Sequence, residues 1–185
     1  FLGRVDVMSK PALIHCHVCT KGFLSGNRAC PHCGAEVAQE RDPLREWDER
    51  WMELARHYAG WSKDPSTRLG AVVVVGGKRQ VGQGYNGFPR GVEDAPERYA
   101  ERELKYQLIV HAELNAVLTA GRDCQGATIY VWPLPPCPEC TKAIIQAGIR
   151  RVVMPRECPR PEWRAKFESF SKIMLDEAGV EVSYV

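Results

Sequence analysis

Hydrophobic positions along the chain follow helical spacing in some stretches and strand spacing in others. Between residues 42 and 58 the apolar side chains recur at helical spacing, after an Asp-Pro pair suited to the N-cap and the first helical residue. Residues 69–75 and 80–85 are joined through Gly76-Gly77, which predicts an antiparallel hairpin. The main part of the chain therefore begins with one helix and one hairpin.

Helices and strands alternate through the rest of the chain. The predicted helices cover residues 95–107, 112–121, 138–147 and 161–177, and the predicted strands cover residues 128–132, 151–154 and 180–185. A hairpin followed by this alternation is typical of an α/β fold in which helices cover both faces of a mixed sheet. We expect a sheet of about five strands.

Two cysteine pairs mark a separate unit ahead of this domain. Each pair has the C-x-x-C spacing of a zinc knuckle, and the four residues are Cys16, Cys19, Cys30 and Cys33. Four thiolates complete a tetrahedral structural zinc site, and Gly22 and Gly34 would allow a tight turn after each pair. The sequence predicts a zinc ribbon over residues 12–36, a linker over residues 37–43 and a second domain over residues 44–185.

A second set of metal ligands lies in the second domain. His111, Cys137 and Cys140 supply three donors, the number that a catalytic zinc takes from a protein when its fourth position is kept for water. Cys137 would cap a helix that begins at Pro138, so that backbone N–H groups favour its thiolate form. A closed structural site would normally supply a fourth Cys or His ligand.

Glu113 gives this second set a catalytic character. Zinc held by two thiolates and a neutral imidazole makes a water molecule acidic enough to react near neutral pH. A free carboxylate can take the proton from this water and pass it to a ring nitrogen and then to a departing amine. An H-x-E string followed by P-C-x-x-C is the pattern of zinc-dependent nucleobase deaminases.

Composition narrows the class of protein further. The formal net charge is +2, and the longest apolar run, residues 71–75, is far too short to span a membrane, so neither a nucleic-acid partner nor a membrane is expected. Thiolate ligands require reduced cysteines, which favours a reducing, cytoplasmic location. Cys124 and Cys158 belong to neither set and are expected to be free thiols.

Four strings of the second domain together indicate a family. They are residues 62–67 (SKDPST), 84–91 (GYNGFPRG), 111–116 (HAELNA) and 144–149 (IIQAGI). In this order they resemble the deoxycytidylate deaminase family of the cytidine deaminase superfamily over residues 44–185. The resemblance implies an α/β/α sandwich and hydrolysis of dCMP to dUMP and ammonia. It also implies that His111, Cys137 and Cys140 are the zinc ligands and that Glu113 is the proton carrier.

The same resemblance implies partners and effectors. Members of the family are commonly homohexamers regulated by dCTP and dTTP, which implies effector nucleotides bound with Mg²⁺. Arg122 matches an arginine that the family uses in this response, whereas Thr119 stands where some regulated members have an aromatic residue. Asn86 corresponds to an asparagine of the family that contacts the sugar.

Further substrate contacts are predicted around the glycine-rich loop. Lys63 and Arg90 are cations that can meet a phosphate, Asn86 offers a donor and an acceptor, and Ala112 is assigned to the substrate site. Residues 155–159 (PRECP) depart from the tyrosine-containing segment that family members often carry near the substrate. A different or modified cytidine nucleotide is therefore an alternative substrate at this point.

Two further classes of protein stay open at this point. A deaminase of single-stranded nucleic acid would share the zinc site and could bind through the ribbon, but Phe23 is the one aromatic residue in that ribbon and basic residues are not concentrated there. A ribbon protein with an inactive deaminase domain is the non-enzyme alternative. Glu113 argues against it, because an inactive copy has no need of the carboxylate.

Overall fold

The computed structural model describes residues 13–16, 18–24, 29–35 and 43–185. The chain divides into two units, residues 1–41 and 42–185. Except for its last residue, Pro43, the predicted linker lies outside the described residues. None of the described helices combines the length and the apolar composition needed to cross a bilayer.

The first unit contains a short hairpin beside the cysteine pairs. Strands β1 (Leu13–His15) and β2 (Gly22–Leu24) pair antiparallel. Phe23 is buried together with Cys16 and Cys30, so the ring is part of the small core of this unit. Phe23 therefore offers no exposed face on which a nucleic-acid base could stack.

The two turns of this unit are built differently. Gly34 has a φ of 71°, as expected for the turn glycine of the second pair. In the first turn the left-handed residue is Thr20, with a φ of 59°, and Gly22 lies in β2. The expectation that Gly22 makes this turn is wrong, because the N–H of Thr20 already closes the turn on the carbonyl of Cys16 at 2.9 Å.

A five-stranded mixed sheet forms the centre of the second unit. Its strands are β3 (Gly70–Val75), β4 (Arg79–Tyr85), β5 (Thr128–Trp132), β6 (Arg151–Met154) and β7 (Glu181–Tyr184). The spatial order is β4-β3-β5-β6-β7. Strand β3 pairs antiparallel with both β4 and β5, whereas the β5–β6 and β6–β7 pairs are parallel. The predicted mixed sheet is confirmed.

Helices cover both faces of this sheet. They are α1 (Pro43–Ala59), α2 (Pro96–Ala100), α3 (Arg102–Leu108), α4 (Ala112–Ala120), α5 (Pro138–Gln146), α6 (Pro161–Lys166) and α7 (Lys172–Glu177). On one face Met52 and Ala55 of α1 pack with Val72 and Val74. The opposite face is covered by α4, α5 and α7, whose buried residues pack with the alternate positions of the same strands. This is the α/β/α sandwich implied by the resemblance.

The predicted helix over residues 95–107 is two helices. Glu101 between α2 and α3 is extended, with φ −83° and ψ 104°. Tyr99 is buried and stacks on Phe88 with ring centroids 4.3 Å apart, while Lys105 is buried against Asp64. In one straight helix residues 99 and 105 would point about 120° apart, so the break allows both side chains to be buried.

The predicted helix over residues 161–177 contains a π-helical segment, Phe167–Ser171, between α6 and α7. Phe167 and Ser171 are both buried. Residues four apart lie on the same face of a helix, so both side chains point into the core. The hydroxyl of Ser171 donates to the carbonyl of Pro136 at 3.0 Å.

Candidate active site

Close packing brings α4 onto the sheet. A Cβ atom added at Gly84 in β4 would lie 2.3 Å from the carbonyl oxygen of Ala112 and 2.6 Å from the backbone nitrogen of Ala116. Only glycine fits at this contact. The sequence associates Gly84 with a loop around the substrate, but in the structure its close backbone approach is to the helix that begins after His111.

His111 is held at the start of α4 by backbone contacts on both sides. Val110, just before it, forms an isolated antiparallel bridge with Gly87, with N–O distances of 2.8 and 3.1 Å. The carbonyl of His111 accepts the first helical hydrogen bond, from the N–H of Asn115. His111 is thus the N-cap residue, and the predicted helix start is confirmed.

Cys137 occupies the equivalent position at the start of α5. Its carbonyl accepts from the N–H of Thr141, and its sulfur accepts from the N–H of Cys140 at 3.5 Å. Pro138 is the first residue of the helix, as predicted. The hydroxyl of Ser171 donates to the carbonyl of Pro136, so the residue before Cys137 is also held by a hydrogen bond.

Three donor atoms converge between these two helix starts. The Nδ1 atom of His111 lies 3.4 Å from the sulfur of Cys137 and 3.3 Å from that of Cys140, and all three atoms lie within 4.8 Å of one another. In a tetrahedral zinc site with Zn–S of about 2.3 Å and Zn–N of about 2.0 Å, a sulfur–nitrogen edge measures about 3.6 Å. The donor set and its spacing fit zinc.

Charge in the cluster also favours a cation. The hydrogen bond from Cys140 lowers the pKa of Cys137 to about 4, and the hydrogen bond with Cys137 raises the pKa of His111. The pKa of Cys140 is raised, first because its neighbour Cys137 takes the negative charge and then because the site is buried. A second thiolate is therefore unfavourable unless a positive charge lies between the sulfurs.

Glu113 is the second residue of α4 and is buried. Burial raises its pKa to about 7. Its Oε2 atom is buried and has no hydrogen-bond partner, one of two such side-chain atoms in the part of the chain that the structure describes. An unpaired buried carboxylate oxygen is costly in free energy, which indicates that a group absent from the folded chain alone, such as a water or a substrate amine, is its partner.

A cavity that is partly open to solvent leads to this cluster. The residues that line it are Asp64, Ser66, Thr67, Leu69, Asn86, Lys105, Tyr106, Ile109, His111, Glu113, Leu134, Pro135, Cys137, Arg160 and Trp163. They come from five separate stretches of the chain. The cavity is therefore a product of the tertiary fold.

One wall of the cavity is organised by Asp64. Its Oδ1 atom accepts from the backbone N–H and the hydroxyl of Ser66, both at 2.8 Å, and from the ammonium group of Lys105 at 3.3 Å. Burial alone would raise the pKa of Asp64, but these hydrogen bonds and the charge of Lys105 lower it overall. The amide group of Asn86 donates to the carbonyl of Thr67 and accepts from the N–H of Leu69.

The substrate residues predicted from the sequence are not all near this cavity. Asn86 lines it, but Lys63, Arg90 and Ala112 are not among its lining residues in the described part of the chain. Lys63 instead pairs with Asp94, with a nitrogen–oxygen distance of 2.6 Å. Ala112 is fully buried at the start of α4, and Arg90 is exposed.

Sequence reasoning did not assign seven polar or aromatic residues of the cavity to the site. Asp64, Ser66 and Thr67 belong to a string that indicates the family, and the other four are Lys105, Tyr106, Arg160 and Trp163. The periodic pattern marks Lys105 and Tyr106 only as part of a charged helix, and nothing in the segment around Arg160 relates it to the zinc motif. A buried lysine in a charged helical stretch carries no local sequence signal.

The first unit holds a second cluster of potential ligands. The sulfur atoms of all four cysteines lie within 4.8 Å of one another, with Cys16–Cys33 at 3.5 Å and Cys19–Cys30 at 3.6 Å. Backbone N–H groups of Cys19 and Val18 lower the pKa of Cys16 to about 6. Sulfur–sulfur edges of a tetrahedral zinc site measure about 3.8 Å, so this cluster also fits zinc.

Hydrolytic loss of an amine needs an activated water and a proton carrier at one cavity, and the second unit has residues for both. These features define it as a zinc-dependent deaminase. The profile described as the cytidine and deoxycytidylate deaminase zinc-binding region matches residues 45–155. The chain belongs to the cytidine and deoxycytidylate deaminase family.

Individual relatives agree with this assignment. The human deoxycytidylate deaminase is 44% identical over 121 residues, which cover 62% of this chain and 67% of the human protein. An uncharacterised deaminase of Aliivibrio fischeri is 41% identical over 144 residues, covering 77% of this chain and 95% of the relative. A crystal structure of the dCMP deaminase from the cyanophage S-TIM5, in complex with dCMP and dUMP, matches with a TM-score of 0.58 at 25% identity, covering 79% of this chain and 100% of that one.

Proposed function

We propose that this chain hydrolyses dCMP to dUMP and ammonia. The observation that carries the proposal is the buried carboxylate of Glu113, whose Oε2 atom lacks a partner beside a His-Cys-Cys cluster. Relatives named deoxycytidylate deaminase, and a structural relative solved with dCMP and dUMP, support the choice of substrate.

In this proposal His111, Cys137 and Cys140 hold a catalytic zinc ion. When bound, zinc lowers the pKa of water so that hydroxide is available near neutral pH. The helix starts at which His111 and Cys137 lie keep the donor atoms in place before the metal arrives. A backbone N–H group and the positive end of α5 favour the thiolate of Cys137, and a bound cation would favour the thiolate of Cys140.

Glu113 moves the protons of the reaction. It accepts one proton from the attacking water and delivers it to the ring nitrogen next to C4. It then takes the second proton from the oxygen now bonded to C4 and gives it to the amino group as the C4–N bond breaks. A C4–O bond forms, ammonia leaves, and the carboxylate ends the cycle as it began. A pKa of about 7 suits this role, because the group can gain and lose a proton near neutral pH.

Asn86 is proposed to contact the sugar. It lies in the cavity wall, and its hydrogen bonds to Leu69 and Thr67 orient the amide. The Oδ1 atom has a second lone pair that can accept from a sugar hydroxyl. The phosphate contacts of Lys63 and Arg90 and the substrate contact of Ala112 stay predictions from the sequence.

A panel of substrates tests the function directly. Ammonia release is measured from dCMP, dCTP, deoxycytidine and a single-stranded cytosine oligonucleotide, with the zinc-loaded chain. We expect dCMP to have the highest kcat/KM, because charge-assisted contacts to a phosphate add binding that a nucleoside lacks. Equal values for deoxycytidine and dCMP would contradict the nucleotide assignment, and turnover of the oligonucleotide alone would favour the nucleic-acid class.

We also propose that residues 12–36 form a zinc ribbon, with structural zinc held by Cys16, Cys19, Cys30 and Cys33, and that residues 44–185 are the deaminase domain. Two thiolate clusters in one chain support a reducing, cytoplasmic location, because oxidised cysteines could not serve as ligands. The other two cysteines are free thiols: Cys124 is buried, and Cys158 donates to the carbonyl of Arg160.

Regulation and assembly are proposed from the family. The chain would form a homo-oligomer, a hexamer by resemblance, and respond to dCTP and dTTP with Mg²⁺ through Arg122. The side chain of Arg122 is exposed in the short helical turn Gly121–Cys124, and Leu118 is exposed on the preceding turn. Substrate curves that are hyperbolic and superimposable with and without dCTP and dTTP would contradict this regulation.

A further inference from the structure

The cavity that leads to Glu113 contains one cation whose charge is not compensated. Among its described lining residues the lysine and arginine side chains are those of Lys105 and Arg160. Lys105 is buried and pairs with Asp64 at 3.3 Å, so these two charges cancel. Arg160 forms no ion pair with any described residue.

The guanidinium group of Arg160 is only partly engaged. Its Nη2 atom donates to the carbonyl of Ser66 at 3.1 Å, which ties Arg160 to the loop that forms one wall of the cavity. Arginine has five N–H donors in a planar fork, so further donors remain for a ligand. A carbonyl oxygen contributes no full negative charge, so the positive charge of Arg160 also remains available.

Two features suit this residue to a phosphate group. A planar guanidinium binds phosphate oxygens in pairs, whereas an ammonium group acts as a point charge. Arg160 is half-buried, so a bond formed there is less screened by solvent than one at an exposed residue such as Arg90. Lys63 is an unsuitable alternative because Asp94 already neutralises it.

We propose that Arg160 is the residue that recognises the phosphate of the substrate and makes the enzyme selective for a nucleoside monophosphate over the nucleoside. This inference rests on the proposed function and names the part of the cavity that binds the substrate phosphate. The contact with Ser66 positions the guanidinium without using its charge. Selectivity then resides in the segment before α6, outside the zinc motif.

Kinetics of four variants test the proposal. For Arg160→Ala we expect kcat/KM for dCMP to fall by about 10- to 100-fold, the effect of losing a charge-assisted hydrogen bond, and kcat/KM for deoxycytidine to stay within about threefold. Arg160→Lys keeps the charge and should recover part of the loss, whereas Arg160→Gln keeps a donor without charge and should recover none. Arg156→Ala, on the same segment but outside the cavity, is the matched control and should change neither value.

Binding provides a readout that does not depend on turnover. The Kd of the product dUMP, measured by calorimetry, should rise about as much as kcat/KM for dCMP falls in Arg160→Ala, while the Kd of deoxyuridine should not change. Thermal unfolding of each variant checks that the fold is retained.

Several outcomes would overturn the inference. The first is an unchanged preference for dCMP in Arg160→Ala. The second is an equal loss of kcat/KM for dCMP and for deoxycytidine in that variant, which would indicate that Arg160 only supports the Ser66 loop. The third is wild-type kinetics of Arg160→Gln. Loss of the preference in Arg90→Ala but not in Arg160→Ala would transfer the role to Arg90. In each of these cases the wild-type chain still deaminates dCMP, whereas a wild-type chain with no preference for dCMP would overturn the proposed function as well.

Discussion

Buried charged residues in the second unit differ in whether they have partners. Asp64 pairs with Lys105, and Asp48 accepts two hydrogen bonds from Arg151, at 2.8 and 2.6 Å. Glu113 instead keeps one carboxylate oxygen without a partner. Burial of a polar atom costs free energy unless it is bonded, so the paired groups serve stability and Glu113 serves chemistry.

Replacing Glu113 tests its role in catalysis. Glu113→Gln should keep the zinc content of the wild type but lower kcat by about 10²- to 10⁴-fold, because an amide cannot accept the proton of the attacking water. Zinc is measured by metal analysis and kcat by ammonia release. The exposed Glu139, between the two cysteine ligands in sequence, is the matched control, and Glu139→Gln should leave kcat nearly unchanged. Activity of Glu113→Gln within a few-fold of wild type would remove this residue from the mechanism.

Replacing Asp64 tests the buried ion pair. Asp64→Asn leaves Lys105 buried without a countercharge, and we expect a loss of about 3–5 kcal/mol in the free energy of unfolding at pH 7. Urea unfolding measures this loss. Glu49→Gln, which breaks an exposed pair with Arg45 on α1, should cost less than about 1 kcal/mol. A loss for Asp64→Asn as small as that of the control would contradict the pairing.

The same variant predicts a pH dependence. The pKa of Asp64 is lower in the folded protein than in the unfolded chain, so its stabilising contribution is present above the unfolded pKa and is lost as the pH falls through the folded pKa. The stability difference between wild type and Asp64→Asn should therefore be largest near neutral pH and shrink below about pH 4. A difference that stays constant down to pH 3 would show that the carboxylate charge is not responsible.

At the level of elements, the ligand-bearing helices are positioned by contacts between backbones. Helix α4 approaches β4 so closely that Gly84 faces the Ala112 carbonyl, and α1 approaches β3 in the same way at Gly70. The π-helical segment after α6 brings Ser171 under the residue before Cys137. The contacts at Gly84 and Ser171 lie beside the starts of α4 and α5, which carry the ligands, whereas the contact at Gly70 lies near the end of α1.

Adding a methyl group at Gly84 tests this positioning. Gly84→Ala places a Cβ against backbone atoms of α4, which cannot move independently of the helix, so we expect a loss of about 1–3 kcal/mol in stability together with a lower kcat. Gly87→Ala is the matched control, because its nearest neighbour would be a ring atom of Tyr85 at 3.9 Å. Chemical unfolding and ammonia release measure both variants. Equal behaviour of the two would contradict the close contact.

At the level of the whole molecule, the chain carries two thiolate clusters in two separate units. Each cluster has the donor number expected for its role: four sulfurs close a structural site, and three donors leave a position for water. The two clusters belong to different units, so we expect their zinc contents to change independently.

Metal analysis tests this expectation. The purified chain should contain about two zinc ions, and the double variant Cys19→Ser/Cys33→Ser should contain about one, since two sulfurs do not hold the structural ion. Cys158→Ser, outside both clusters, is the control and should contain two. Two zinc ions in the double variant would contradict the ribbon assignment.

Most of the fold could be predicted from the pattern along the chain. The hairpin, the three later strands and the helices with clear periodicity are confirmed. A helix or strand that buries one face shows apolar residues at its own characteristic spacing, whatever it packs against. The two helices that differ do so for tertiary reasons. The break at Glu101 lets Tyr99 and Lys105 both be buried, and in the π-helical segment Ser171 donates to the carbonyl of Pro136.

The sequence by itself determined the chemistry of this protein. Ligand types and the spacing of His111, Glu113 and the cysteine pairs follow from local geometry at helix starts, which neighbouring residues encode. Only the tertiary structure decided which other residues share the cavity with them. Lys105 and Arg160 are far apart in sequence and reach the cavity wall through Asp64 and Ser66, and such contacts depend on how α3 and the segment before α6 pack, which no local pattern records.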